Sequence, residues 1–252
     1  MVESLGPDDV GSLQLNTAPK WTTIEHLAQS YDCFILDCDG VVWSGPKQID
    51  QAFEVVEHLE SIGKQVYFYT NNSTKLAEDS VAKMQQLGYK NPKHDQIFGS
   101  AFVTAQYIKQ NHPYAKKAFV IGMKSLRIEL ERVGINVVGA DTHIFPPQAP
   151  LLYDVFEVYQ LDKEIDIVVA GMDNDFTYSK LALASLYINE QKCKLVATNE
   201  DVFINVNGRR YPCAGTLLAS LMLSVQDKSA LEVVGKPNPY GFKMIKDKFD
   251  LG

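Results

Sequence analysis

Four apolar residues, Cys33-Phe34-Ile35-Leu36, run without alternation into Asp37-Cys38-Asp39-Gly40. An apolar run of this kind predicts a strand buried on both faces, as in a parallel sheet covered by helices on each side. Such sheets bind ligands beyond the carboxyl ends of their strands. Asp37 and Asp39 sit at that end, about 6–7 Å apart if the backbone is extended. Asp-Gly is also a common turn signal, so the pair alone reads equally well as the start of a polar turn.

The pattern repeats along the chain. Residues 50–62 carry Phe53, Val56, Leu59 and Ile62 at spacings of three, which predicts a helix with one apolar face and a stop at Gly63. Gln65–Tyr69 reads as a second apolar strand that ends in Thr70-Asn71-Asn72-Ser73. A helix over Leu76–Leu87, stopped at Gly88, and a short strand over Gln96–Phe98 follow. This β-α-β-α-β order predicts a right-handed, doubly wound, Rossmann-like α/β core.

A second series begins near residue 101. Helices are expected over Phe102–Gln110, Leu126–Val133, Tyr178–Asn189 and Gly215–Leu223. Strands are expected over Lys117–Gly122, Ile135–Val138, Ile165–Ala170, Leu195–Thr198 and Leu231–Val234, with Arg209–Pro212 as a crossing. A Pro-rich loop carries Pro146, Pro147 and Pro150. The simplest organisation is a flexible leader over 1–20 and a core over 21–103, interrupted by an inserted α/β domain over 104–215 and resumed over 216–252. A short amphipathic helix, Thr23–Gln29, is expected to lead into the first strand.

Composition narrows the function. A net charge of -7 argues against a nucleic-acid partner, because phosphate backbones are met by clustered Lys and Arg. No apolar run approaches the ~20 residues of a membrane span, and the acidic leader resembles no targeting peptide. Cys33, Cys38, Cys193 and Cys213 include no C-x-x-C pair and read as reduced thiols of a cytoplasmic protein. His26, His58, His94, His112 and His143 form no set with ligand spacing.

Three strand ends carry groups capable of chemistry: Asp37-x-Asp39, Thr70-Asn71-Asn72 and Gly235-Lys236-Pro237. A carboxylate can attack as a nucleophile, and a second one nearby can protonate a leaving group and deprotonate a water. A hydroxyl with adjacent amides can hold phosphoryl oxygens, and a lysine offsets charge that builds in the transition state. Each stretch has a plainer reading as a turn, a helix cap or a solvated loop. All three follow apolar strands, and together they are the parts that phosphoryl transfer through an aspartyl-phosphate requires.

The stretches F-I-L-D-C-D-G-V-V-W, Y-F-Y-T-N-N-S-T-K and V-V-G-K-P-N-P resemble the first three motifs of the haloacid dehalogenase superfamily. The chain is most similar to the branch of 4-nitrophenylphosphatases, phosphoglycolate phosphatases and pyridoxal phosphatases, which inserts a large cap domain between motifs two and three. The resemblance implies a Mg²⁺-dependent phosphatase of small phosphorylated metabolites. Asp37 would be the nucleophile and Asp39 the general acid/base, and both would contribute to the metal site. Thr70, Asn71, Asn72 and Lys236 would surround the phosphoryl group. The cap would set substrate choice, with Asp173, Asp175, Tyr178 and Asn199–Glu200 as candidate contacts, and could mediate a homodimer. The family's fourth motif, whose aspartates complete the metal site, has no counterpart before Gly252. The core is therefore expected to be incomplete at its C-terminus, as in a fragment of a longer active protein. Two alternatives stay open: a shortened form that binds a ligand or partner without turnover, and a phosphotransferase built on the same residues.

Overall fold

The computed structural model describes residues 23–141, 160–206 and 208–249. The expected leader, residues 1–20, and the loop with Pro146, Pro147, Pro150 and His143 lie outside the described residues. The chain up to Asp32 forms a unit of its own, whose described part is helix α1 (Ile24–Ser30). The Thr23 hydroxyl accepts the His26 N–H at 3.3 Å, which satisfies one of the donors that a helix start leaves free.

The unit from Cys33 onward holds two parallel sheets. The chain enters through β1 (Cys33–Leu36) and makes a small hairpin of β2 (Trp43–Ser44) and β3 (Lys47–Gln48). It then passes through α2 (Ala52–Ser61), β4 (Gln65–Thr70), α3 (Ala77–Gln86) and β5 (Ile97–Gly99). On α2, Phe53, Val56 and Leu59 are buried, as their spacing predicts. Gly63, with φ of +80°, takes the left-handed turn that ends the helix run. The three strands pair in the order β1-β4-β5, with Cys33 opposite Gln65 and Phe68 opposite Ile97.

α4 (Ser100–Asn111) starts directly after β5 and carries the chain to β6 (Lys117–Ile121). α5 (Lys124–Arg132), β7 (Asn136–Gly139), β8 (Ile167–Ala170), α6 (Tyr178–Asn189) and β9 (Lys194–Ala197) follow. Next come the hairpin strands β10 (Phe203–Val206) and β11 (Arg209–Pro212), then α7 (Ala214–Ser224), β12 (Leu231–Val233) and α8 (Tyr240–Lys248). The second sheet has the order β12-β9-β8-β6-β7 and is parallel throughout.

Alternation along its strands explains why they read as unbroken apolar runs. Ala118, Val120, Ile167 and Val169 face a core shared with α4 and with Tyr67, Tyr69 and Phe98 of the first sheet. Phe119, Ile121, Val168 and Ala170 face the opposite core, with Leu183, Ala184, Tyr187 and Leu221 of α6 and α7. Both faces are dry, so every position must be apolar. At roughly 1.5–3 kcal/mol for each large apolar side chain removed from water, these two cores are a main source of stability.

Two expectations are corrected. All four β1 residues are half-buried instead of fully buried, because among the described residues β1 pairs with β4 alone and stands at the sheet edge. Arg209–Pro212 is no crossing but one arm of an exposed antiparallel hairpin with Phe203–Val206. Leu231–Val233 hydrogen-bonds to Lys194–Ala197, so α7 and β12 belong to the five-stranded sheet and not to the first. Among the described residues, no helix is long and apolar enough to cross a membrane.

Candidate active site

The carboxyl ends of β1 and β4 and the loop after β12 meet at one place. Lys236 Nζ donates to Asp37 Oδ1 at 2.7 Å and to the Tyr69 carbonyl at 2.8 Å, and lies 5.3 Å from the centre of the Tyr69 ring. Asp37 Oδ1 also accepts the Cys38 N–H at 2.8 Å. Both bonds go to one oxygen, Oδ1, on a side chain that is 41% exposed.

Asp39 leaves the strand on a tight turn in which the N–H groups of Val41, Val42 and Trp43 all point at the Cys38 carbonyl. The turn swings the indole of Trp43 back, and its Nε1 donates to Asp39 Oδ1 at 2.8 Å. Cys38, between the two aspartates, is fully buried. Burial first, and the flanking carboxylates second, push its thiol far above the usual range, so it holds its proton.

The second motif divides into two roles. Thr70 is buried and its hydroxyl accepts the Asn72 N–H at 3.1 Å; Asn72 Oδ1 in turn accepts from the backbone and hydroxyl of Thr74. Thr70 and Asn72 line a cleft of about 340 Å³ together with Asp39 and Trp43. Asn71 points elsewhere. Its Oδ1 accepts the Lys236 N–H at 2.8 Å, and its Nδ2 donates to the Lys236 carbonyl at 3.1 Å and to Asp201 Oδ1 at 3.2 Å. This amide thus clamps the lysine backbone across 165 residues of sequence. Gly235 is what lets the lysine loop come so close: a Cβ there would strike the Thr198 carbonyl and lie 2.8 Å from Asn71 Oδ1.

The candidate specificity residues are not brought together with this cluster in one way. Asp173 is buried, with Oδ2 bonded to Lys180 Nζ at 2.8 Å and Oδ1 to the Asp175 N–H, so its carboxylate is committed to the interior. Tyr178 is 56% exposed at the start of α6. Asn199 is buried and structural: Nδ2 donates to the Asn71 carbonyl at 2.8 Å, tying the end of β9 to the end of β4. Glu200 is exposed beside it.

Two residues of the cluster escape a reading of spacing alone. Tyr69 supplies a carbonyl and a ring face to Lys236, yet in sequence it is one more apolar strand residue. Lys83 lies over the Trp43 ring, 4.2 Å from its centroid, yet in sequence it is one of many charges on a helix.

Residues 34–136 match the model of a family described as haloacid dehalogenase-like hydrolase. The chain is 34% identical over 210 residues to a 4-nitrophenylphosphatase of Schizosaccharomyces pombe, which spans 82% of this chain and 68% of that protein. Phosphoglycolate phosphatase 2 of Arabidopsis thaliana is 32% identical over 231 residues, 90% of this chain and 75% of that protein. Among solved structures, a glycerol phosphate phosphatase of Mycobacterium tuberculosis in complex with magnesium superposes with a TM-score of 0.71. It is 25% identical, and the match covers 88% of this chain and 60% of that one.

Proposed function

The chain belongs to the haloacid dehalogenase-like hydrolases, and from that membership we propose that it is a phosphatase of small phosphomonoesters that works through an aspartyl-phosphate on Asp37. The observation that carries the reading is the contact of Lys236 Nζ with Asp37 Oδ1, on a carboxylate side chain that is 41% exposed. The lysine offsets the negative charge that gathers as a phosphate dianion approaches the carboxylate.

In the first half of the reaction, Asp37 Oδ2 attacks phosphorus. The bond to the leaving oxygen breaks with its electron pair, and Asp39 delivers a proton to that oxygen. In the second half, Asp39, now a carboxylate, takes a proton from water. The hydroxide oxygen bonds to phosphorus, and Asp37 leaves as a carboxylate with release of phosphate. Thr70 and Asn72 line the cleft at Asp39 and are suited to donate to phosphoryl oxygens. Asn71 acts through Lys236, as a positioning residue.

A divalent cation, Mg²⁺ in this reading, suits the oxygens present: the Asp37 carboxylate and the Asp39 carbonyl are hard donors of the right type. They make up part of a shell, since no group of three His, Cys, Asp or Glu side chains that could hold an ion occurs among the described residues. When bound, the cation neutralises phosphoryl and carboxylate oxygens together. The names of the relatives point to small phosphorylated metabolites as substrates.

Release of 4-nitrophenol from 4-nitrophenyl phosphate tests the reading. Turnover is expected with Mg²⁺ and is expected to fall to background when the ion is chelated. No release at any Mg²⁺ concentration sinks the proposal and leaves a binding role in its place. A second expectation concerns Gly235→Ala. The added methyl displaces the lysine loop, so kcat should drop by about a hundredfold, the scale for catalytic groups moved by about 1 Å. Steady-state kinetics beside a far-UV circular dichroism spectrum separates this from unfolding.

A further inference from the structure

Asp39 is held from the side by a contact that the mechanism above does not use. Trp43 donates its indole N–H to Asp39 Oδ1 at 2.8 Å, and the indole is buried, so water does not compete for that donor. Against the ring lies the ammonium of Lys83, 4.2 Å from the centroid. Lys83 reaches there from α3 along the wall of the cleft that also contains Asp39, Thr70 and Asn72. Burial disfavours its charge, and the nearby charge of Asp39 favours it. A lysine on a helix usually carries its head into water, whereas this one lies over an aromatic face beside the candidate acid.

We propose that Lys83 is a positioning residue for Asp39 and acts through Trp43. A cation on the face of an indole is attracted to its π electrons and draws density from the ring, which makes the N–H a stronger donor. That donor occupies Oδ1, so the proton that Asp39 carries is confined to Oδ2, the oxygen left to face a leaving group. This assignment rests on the reading of Asp39 as the proton donor in the first half of the reaction. Asp39 and Lys75 are charged groups near the ammonium, with the Cys38 thiol beside them, and Asp79, four residues back on α3, lines the same cleft.

Leaving-group chemistry provides the test. Lys83→Met keeps the stem and removes the charge, and Lys83→Arg keeps the charge. The comparison is made in kcat/KM, which reports phosphoryl transfer to Asp37 and not the hydrolysis shared by all substrates. On glycerol 3-phosphate, whose alkoxide must be protonated as it leaves, Lys83→Met is expected to lose about ten- to a hundredfold. On 4-nitrophenyl phosphate, whose phenolate leaves unaided, the loss should be under about threefold, because general-acid help is then worth little. Lys83→Arg should restore the first substrate. Equal losses on both substrates, or none, overturn the assignment and leave the phosphatase reading standing.

A second readout needs no turnover. Trp21 and Trp43 are the two tryptophans of the chain, so isotope-labelled protein gives two indole N–H resonances, assigned with Trp21→Phe. The Trp43 resonance is expected to move upfield and to exchange faster with solvent in Lys83→Met, as it should in Asp39→Asn. A Trp43 resonance unchanged in Lys83→Met overturns the proposal even if no substrate is ever hydrolysed. Absence of activity in the unmutated protein overturns the phosphatase reading instead.

Discussion

Asp37→Asn is expected to reduce phosphate release by at least about a thousandfold while the fold stays intact. The amide keeps the volume and the acceptor oxygen of the carboxylate. It can still accept the Cys38 N–H and one hydrogen of the Lys236 ammonium, the two bonds that Asp37 Oδ1 now receives. What it lacks is a second oxygen able to bond to phosphorus. The ion pair it removes joins side chains that are 22% and 41% exposed, and pairs so open to water contribute about 0–1 kcal/mol. Activity and stability should therefore separate cleanly. The checks are kcat on 4-nitrophenyl phosphate and the midpoint of a urea transition measured on the same preparation. Residual kcat within tenfold of the unmutated protein would remove Asp37 from the role of nucleophile, whatever the Lys236 contact suggests.

Much of this arrangement could be read from the chain, for a physical reason. Strands packed between helices are continuously apolar, so Cys33–Leu36, Gln65–Thr70 and Ile167–Ala170 announce themselves, and so do the polar residues at the ends of the first two. Asp37 and Thr70 were visible because they stand at those ends, and Lys236 because it follows the apolar strand Leu231–Val233. Hydrogen-bond partners were not visible, because nothing local distinguishes an asparagine that clamps a lysine backbone from one that faces a ligand. Asn71 and Asn72 are neighbours in one motif, yet the first is tied to Lys236 and Asp201 and the second to Thr74. The strand Leu231–Val233 was legible as an element, but its partner was not: pairing is decided by which sheet edge lies within reach, and that edge was β9. The hairpin of Phe203–Val206 and Arg209–Pro212 was missed because its strands are exposed throughout and so lack a buried face to impose alternation.

Asp173 shows how far burial can change the meaning of a residue, and it gives the largest stability effect to be expected in this chain. In the sequence it looks like a substrate contact. In the structure its side chain is 2% exposed and that of Lys180 is 1% exposed, with Nζ and Oδ2 2.8 Å apart. The same ammonium donates to the Ala140 carbonyl at 2.6 Å, while Asp173 Oδ1 accepts the Asp175 N–H at 2.8 Å. The pair thus pins α6 to the ends of β7 and β8. Lys180→Met leaves a carboxylate and a carbonyl buried without their donor, which should cost about 3–5 kcal/mol, the range for breaking a buried pair from one side. At about 2–4 °C per kcal/mol for a chain of this size, Tm should drop by roughly 10 °C. Adding Asp173→Leu to Lys180→Met removes the stranded charge and fills its space, so the double variant should recover most of the loss even though it has no ion pair. Thermal melts of the three proteins decide the matter. If the double variant is as unstable as the single one, the cost lies in lost packing around α6 and not in an unpaired charge. If Lys180→Met loses catalytic efficiency with Tm unchanged, the pair serves the site and not the stability of the fold.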